Sequence, residues 1–153
     1  MKALELRVPP PVAAALFAGA MWAISFAPPV LEVPGPIRIA TAAILALAGG
    51  LFDIAGMASF ALARTTINPM KPETTSSLVR SGVYGISRNP MYVGLLFILA
   101  GWAVYLASPW ALLGPVAFVP YMNRFQIAPE ERALSARFGA EYAAYASKVR
   151  RWL

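Results

Sequence analysis

The sequence predicts an all-α integral membrane protein with about four transmembrane helices and a C-terminal amphipathic helix. Three observations support this. First, 59% of the 153 residues are hydrophobic and 13% are charged, whereas soluble chains are about 45–50% apolar and about 25% charged. Second, the charges are absent from four long blocks. Third, the basic residues flank these blocks with a strong bias to one side. The length fits one membrane-embedded domain, residues 1–153.

The four apolar blocks are the candidate spans, at 12–27, 39–63, 91–107 and 110–122. A spanning helix needs about 20 apolar residues, with a range of about 17–25. The second block is long enough, the third is borderline, and the first and fourth are short. Tryptophan and tyrosine side chains near their ends favour the short blocks as spans, because these rings anchor at lipid headgroups.

The distribution of basic residues supports four spans. With four spans, the N-terminus, the segment 64–89 and the tail 123–153 lie on one side of the membrane. That side then holds all of the 13 lysines and arginines except Arg38. The positive-inside rule makes this side cytoplasmic, with both termini in the cytoplasm. The alternative is a signal peptide over residues 1–27, whose cleavage would leave three spans and remove this bias.

The tail predicts a helix that starts near Pro129, because proline and acidic residues favour the first turn. Apolar residues then recur at spacings of three and four, which gives the helix one apolar face. Such a helix lies on the bilayer or over the mouth of the helical bundle. The residues of this face are Leu134, Phe138, Tyr142, Tyr145 and Val149.

The composition excludes several chemistries. The chain has no cysteine and no histidine, so it has no thiolate nucleophile, no histidine base and no zinc site of these ligands. We therefore expect no metal. The net charge is +6, but the basic residues flank apolar blocks and no nucleic-acid-binding motif is present. We expect membrane lipids as partners and no nucleic acid.

The segment from Arg88 to Gly94 is the first candidate for chemistry. Asn89 and Pro90 suit the cap and the first turn of a helix. Tyr92 offers a ring and a hydroxyl group, and Gly94 lets a ligand or another backbone approach closely. The alternative is a helix cap followed by an interfacial anchor.

Two further candidates are carboxylates. Glu130 and Glu131 can hold a cation such as an amino group or a sulfonium, or they can simply favour the positive end of a helix. Asp53 lies inside an apolar block, where an ionisable residue marks a functional site or bonds a neighbouring helix. Arg124 is a candidate substrate contact, with lipid contact as the alternative. The glycines Gly49, Gly50 and Gly56 predict close helix packing.

A set of residues in fixed order and spacing carries a family resemblance. The set is Asn68-Pro69, Pro72, Leu78-Val79, Gly82-Val83-Tyr84, Arg88-Asn89-Pro90-Met91-Tyr92-Val93-Gly94, Pro129-Glu130-Glu131, Leu134, Phe138-Gly139, Tyr142 and Tyr145. On these residues, the region 66–153 resembles the bacterial branch of the membrane-embedded isoprenylcysteine carboxyl methyltransferases. The first two predicted spans resemble this family only in hydropathy.

The resemblance implies an S-adenosylmethionine pocket built from the third and fourth spans and the tail helix, with a lipophilic substrate entering from the bilayer. It also implies the inner membrane of a bacterium. The cofactor-binding residues it implies are Arg88, Asn89, Pro90, Tyr92, Gly94 and Glu130. The candidate catalytic residues are Glu131, Glu130 and Arg124, and we expect turnover to depend most on Glu131.

The chain departs from the prenylcysteine enzymes at two positions. Those enzymes have histidine at the position of Asn89 and arginine at the position of Gln126. Loss of that arginine weakens the case for a carboxylate acceptor, because arginine is its natural clamp. The Asn-Pro-Met-Tyr sequence, with 101–103 and 107–109, is also similar to phosphatidylethanolamine N-methyltransferase. The methyl donor is therefore better defined than the acceptor.

Three functions remain at this stage. The first is methyl transfer to a lipophilic small molecule or an isoprenylcysteine-like acceptor at the cytoplasmic face. The second is N-methylation of a phospholipid amine, in which Glu131 or Tyr92 would help to remove a proton. The third is a non-catalytic membrane protein that keeps the fold. Methyl transfer needs alignment more than a strong base, so the absence of histidine is compatible with catalysis.

Overall fold

The structure, a computed structural model, describes residues 5–64 and 76–153. Within these ranges the chain is helical and contains no β-strand, which confirms the all-α prediction. The resemblance residues Asn68-Pro69 and Pro72 lie outside the described ranges. The five α-helices are α1 (Pro10–Ile24), α2 (Gly35–Leu62), α3 (Pro90–Leu106), α4 (Leu113–Met122) and α5 (Ala128–Ala146).

Helix α2 is the one helix of the described ranges that is long and apolar enough to cross a membrane. It has 28 residues, or about 42 Å at about 1.5 Å per residue. Its large apolar side chains point outward, and Ile44, Leu47 and Leu51 are all about two-thirds exposed. A core helix of a soluble protein would bury these groups, so their exposure favours contact with lipid.

The other helices are shorter than a typical span. Helices α1 and α3 are apolar but have 15 and 17 residues. Helix α4 has 10 residues and follows a 3-10 turn at Pro109–Leu112. Each of the four predicted blocks is therefore helical over most of its length, while the four-span arrangement stays a prediction.

Glycines bring α2 and α3 into close contact. A methyl group on Gly49 would lie 2.5 Å from the carbonyl oxygen of Gly94, and one on Gly56 would lie 2.6 Å from Cγ of Met91. The predicted close packing is therefore confirmed at Gly49 and Gly56. It is wrong at Gly50, where an added methyl group would have no neighbour within 4 Å in the described ranges, because this residue faces away from α3.

The chain remains helical from α4 into α5. A π-helical turn at Asn123–Ile127 joins them, and Ile127 already has helical dihedral angles. Pro129 lies in the first turn of α5 as predicted, but the helix has no free N-terminal end there. Because the preceding turn is helical, the adjacent glutamates do not lie at an open helix terminus. π-Helical turns of this kind are often found at functional sites.

The apolar face of the tail helix is only partly buried. Helix α5 is kinked at Gly139, which has a φ of 49°. Beyond the kink, Tyr142 and Tyr145 are buried, whereas Leu134 and Phe138 before it are only partly buried. The predicted single face is thus divided by the kink, and the two tyrosines are its buried residues.

Candidate functional site

The start of α3 meets the start of α5 at a hydrogen bond between Tyr92 and Glu130. The Tyr92 hydroxyl donates to Oε1 of Glu130. Pro90 begins α3, and the first turn places Tyr92 on its inner side, where it is 5% exposed and packs in the core with Met122 and Ile127. Glu130 is partly buried. Two residues predicted from the resemblance are therefore in direct contact.

Glu130 has no cationic partner among the described residues. The pKa of Glu130 is raised to about 8, mainly by burial, while the Tyr92 hydrogen bond lowers the pKa and the nearby charge of Glu131 raises it. An isolated carboxyl group is neutralised by a proton when its desolvation is not offset by a cation. The site therefore contains an acid that favours a positively charged ligand.

Glu131 has the opposite surroundings, because two arginines hold it. Arg151 donates from Nε to Oε1 at 3.1 Å and from Nη2 to Oε2 at 2.6 Å. Nη2 of Arg88 lies 3.0 Å from Oε1. Bidentate arginine–carboxylate pairs of this kind are strong and directional, and the hydrogen bond to Glu131 raises the pKa of Arg151. Glu131 therefore ties the C-terminal tail to the segment before α3.

The tail also contacts the segment before α3 through its backbone. The Arg88 amide donates to the carbonyl oxygen of Arg150 at 2.9 Å, and Nδ2 of Asn89 donates to that of Arg151 at 2.8 Å. Asn89 occupies the cap position of α3, but its side chain makes no capping hydrogen bond. Trp152 donates from Nε1 to Oδ1 of Asn123, 3.0 Å away. The tail is thus bonded to the segment before α3 and to the π-helical turn, and Trp152 packs against the core cluster that contains Tyr92.

Gly94 lies against α2 rather than at the Tyr92–Glu130 contact. A methyl group there would overlap the carboxylate of Asp53 and lie 2.7 Å from the carbonyl oxygen of Gly49. Asp53 has no hydrogen bond or ion pair within the described ranges. The structure therefore places Gly94 and Asp53 together, on a face of α3 about 200° around the helix from Tyr92.

Arg124 is not in contact with either glutamate of the pair. Its Nη1 donates to Oε1 of Glu5 at 2.6 Å, and its guanidinium lies over the ring of Phe125. Neither Glu5 nor Arg151 was predicted as a site residue. Glu5 could have been recognised because it is the one acidic residue before the first apolar block. It also lies on the same predicted side of the membrane as the basic tail.

Gln126 is fully buried next to this region. Its Nε2 donates to the carbonyl oxygen of Val8, while its Oε1 has no hydrogen-bond partner among the described residues. A buried acceptor without a donor is costly and uncommon. Gln126 precedes Glu130 by one helical turn, so the two side chains are on the same face of the chain.

Comparisons with known proteins identify the family. The sequence profile described as phospholipid methyltransferase matches residues 37–141. An uncharacterized protein of Haemophilus influenzae is 49% identical over 63 residues, which are 41% of this chain and all of that protein. The protein-S-isoprenylcysteine O-methyltransferase of Saccharomyces cerevisiae is 37% identical over 82 residues, which are 52% of this chain and 33% of the yeast protein.

A plant relative matches more of the chain. Protein-S-isoprenylcysteine O-methyltransferase A of Arabidopsis thaliana is 31% identical over 109 residues, which are 69% of this chain and 54% of that enzyme. The chain thus spans between a third and about half of the named methyltransferases. No solved structure matches. Because the family profile covers well over half of the chain, this protein belongs to the phospholipid methyltransferase family, and it is similar to the protein-S-isoprenylcysteine O-methyltransferases.

Proposed function

We propose that this protein transfers a methyl group from S-adenosylmethionine to a lipophilic acceptor at the cytoplasmic face of a membrane. One observation carries the proposal: Glu130 is a partly buried carboxyl group that accepts a hydrogen bond from Tyr92 and lacks a cationic partner among the described residues. It lies within the region that matches a methyltransferase family. When bound, S-adenosylmethionine supplies a methyl group activated by a positively charged sulfur.

The residues of the site fit this cofactor. A sulfonium or ammonium group beside Glu130 would offset the cost of burying its ionised form. Nε of Arg88 is buried and has no hydrogen-bond partner in the described part of the chain, so it can donate to the carboxylate of an amino acid. Arg88, Tyr92 and Glu130 would therefore hold the two charged ends of the cofactor, and the tail at Arg151 and Trp152 would exclude water.

The geometry favours Glu130 over Glu131 as the functional member of the pair. Both oxygens of Glu131 are already bonded by Arg151, and Arg88 adds a second cation. Glu130 has unused acceptor capacity and a raised pKa of about 8, so it can take up a proton near neutral pH. We therefore assign to Glu131 the positioning of Arg88 and the tail.

A groove on the side of the bundle supports a lipophilic acceptor. Its volume is about 600 Å³, which is within the usual range of ligand pockets. Its lining includes Leu95, which lies one helical turn from Tyr92 on the same face of α3. An acyl or prenyl chain in this groove would approach the site from the bilayer. The lining residues are Pro11, Ala14, Ala15, Ala18, Ile39, Ala42, Ala43, Ala46, Leu95, Ile98, Leu99, Gly101, Trp102 and Tyr105.

One observation favours a second candidate function, the N-methylation of a lipid amine. The unpartnered Oε1 of Gln126 and the carboxyl group of Glu130 are both hydrogen-bond acceptors on one face. An amine or ammonium group can donate to both, whereas a carboxylate acceptor would be repelled. A proton released from the amine would go to Glu130.

Methyl transfer can be tested directly with the protein purified in detergent. The protein is incubated with methyl-labelled S-adenosylmethionine and either an S-prenylcysteine or phosphatidylethanolamine, and label is counted in the organic extract. We expect label with the wild type and with Glu141→Gln, whose carboxylate pairs with Arg80 away from the site. Glu130→Gln should lose label about tenfold or more. If neither acceptor is labelled and calorimetry detects no binding of S-adenosylmethionine, the proposal is wrong.

A further inference from the structure

A cluster at the N-terminal end of the described chain joins one carboxylate to two arginines. Arg124 donates from Nη1 to Oε1 of Glu5, and Arg132 donates from Nη2 to Oε2. The two arginines come from different elements, the π-helical turn and α5. Each oxygen of the carboxylate therefore has its own guanidinium, an arrangement typical of an anion held between two cationic groups.

The cluster carries more positive charge than the carboxylate neutralises. The side chains of Arg124 and Arg132 are 42% and 58% exposed, while that of Glu5 is 13% exposed. Within the described ranges, each guanidinium uses one nitrogen in this contact. Since a guanidinium has several N–H donors in a planar fork, both arginines can accommodate further oxygen atoms.

Hydrogen bonds that do not involve the Glu5 carboxylate hold the backbone next to Glu5. The Leu6 amide donates to the carbonyl oxygen of Phe125 at 3.0 Å, and Gln126 donates to the carbonyl oxygen of Val8. These bonds fix the segment from Leu6 to Val8 against the π-helical turn. The Glu5 side chain can therefore leave the two arginines while this segment stays in place.

We propose that Arg124 and Arg132 form a binding site for a phosphate oxyanion, and that the carboxylate of Glu5 occupies this site as an internal competitor. A phosphate group has more oxygen atoms than a carboxylate and a charge that both guanidiniums can share. Its source is a phospholipid headgroup or free phosphate. The site is separate from the Tyr92–Glu130 contact and does not depend on methyl transfer.

The proposal predicts opposite effects of removing the carboxylate and of removing the arginines. Binding of phosphatidylglycerol to the detergent-purified protein is measured by native mass spectrometry, with diacylglycerol as the lipid without phosphate. Glu5→Gln should bind phosphatidylglycerol at least about tenfold more tightly, because a tethered competitor is present at high effective concentration. The triple variant Glu5→Gln, Arg124→Gln, Arg132→Gln leaves no unpaired charge and should bind the two lipids equally. Arg80→Gln removes one exposed arginine elsewhere and should behave as the wild type.

A second arm distinguishes the two sources of phosphate. Inorganic phosphate is titrated against the melting temperature of Glu5→Gln and of the triple variant. A rise in Glu5→Gln alone identifies a general phosphate site, while no rise combined with tight phosphatidylglycerol binding identifies the lipid headgroup. If Glu5→Gln is not stably folded, the double variant Arg124→Lys, Arg132→Lys is used instead. It keeps both positive charges but lacks the planar guanidinium donors, and it should bind phosphatidylglycerol more weakly. Equal binding of phosphatidylglycerol by all folded variants would show that the cluster is only an ion pair and would overturn the proposal.

Discussion

Glu130 and Glu131 are adjacent in sequence, yet their carboxyl groups have different partners. Glu130 accepts a hydrogen bond from the buried Tyr92 and has no cation among the described residues. Glu131 is bonded by Arg151 and Arg88. On a helix, neighbouring side chains are about 100° apart, so one carboxyl group faces α3 and the other faces the tail. This separation is the basis of the first three predictions.

The two glutamine substitutions should have different consequences. Glu130→Gln keeps an oxygen that can accept from Tyr92, so we expect a stable fold and a loss of turnover of about tenfold or more, or about 1.4 kcal/mol in activation free energy. Glu131→Gln leaves Arg88 and Arg151 without their shared carboxylate and should lower the free energy of unfolding by about 1–3 kcal/mol. Turnover and a melting curve are measured for each variant. Equal effects of both substitutions on both quantities would contradict the assignment.

The ligand-free protein should become less stable as the pH rises from about 4.5 to about 8. The pKa of Glu130 is raised from its ordinary value of 4.5 to about 8. The folded state therefore gains stability from the protonation of Glu130. This contribution is fully present below pH 4.5 and is lost as the pH rises through about 8. Melting temperatures of the wild type and of Glu130→Gln are compared across this range. We expect the wild type to lose stability relative to the variant as pH rises, and a constant difference would exclude this titration.

The affinity for S-adenosylmethionine should increase with pH. A cation beside Glu130 favours the ionised carboxylate, so binding below about pH 8 releases a proton and becomes stronger as pH rises toward that value. S-Adenosylhomocysteine lacks the positive sulfur and should show a weaker dependence. Calorimetry at several pH values measures both ligands. The affinity of Glu130→Gln for S-adenosylmethionine should show no such pH dependence. If the pH dependence persisted in this variant, the released proton would come from another group.

A matched pair of glycines tests the packing of α2 on α3. Gly94→Ala would place a methyl group against Asp53 and the carbonyl oxygen of Gly49, and overpacking of this kind costs about 1–3 kcal/mol. Gly50→Ala meets open space and should be neutral or stabilising by up to about 1 kcal/mol, since alanine favours helix. Thermal unfolding in one detergent compares the two variants. Equal melting temperatures would contradict the close packing of α2 on α3 at Gly94.

Topology is tested by reporter fusions. All but one of the 13 basic residues lie on the predicted cytoplasmic side of a four-span arrangement. A reporter after Leu153 should therefore be cytoplasmic, and one inserted near Glu32 should be on the opposite side. Leu153 is exposed, so a fusion there does not displace a buried group. The same side for both reporters would exclude four spans.

The helices could be predicted because their residues carry a local signal. Apolar blocks between prolines and glycines define α1, α2 and α3 to within a few residues. The π-helical turn at Asn123–Ile127 could not be predicted, because its extra residue per turn has no composition of its own. The same is true of the kink at Gly139, since a glycine inside a helical pattern indicates only a weak point.

The candidate site was predicted in part. The contact between Tyr92 and Glu130 joins two residues that the resemblance had already placed in one region. The partners of Glu131 could not be foreseen, because Arg151 lies among basic residues that are equally explained by topology. Arg124 was a candidate substrate contact, but its partner Glu5 is 119 positions away in sequence, and no local pattern joins such distant residues.

The contacts of the tail make the region around α3 dependent on a segment more than 60 positions away in sequence. The bond from Asn89 to the carbonyl oxygen of Arg151 spans 62 positions, and the Arg88 amide donates to Arg150 beside it. Amide hydrogens in such bonds are protected from exchange with solvent only while both segments stay together. The Arg88 amide should therefore exchange with the tail as one unit, faster than the amides inside α3. Partial opening of this unit would release Arg88 and Asn89 from the tail while the helical bundle remains folded.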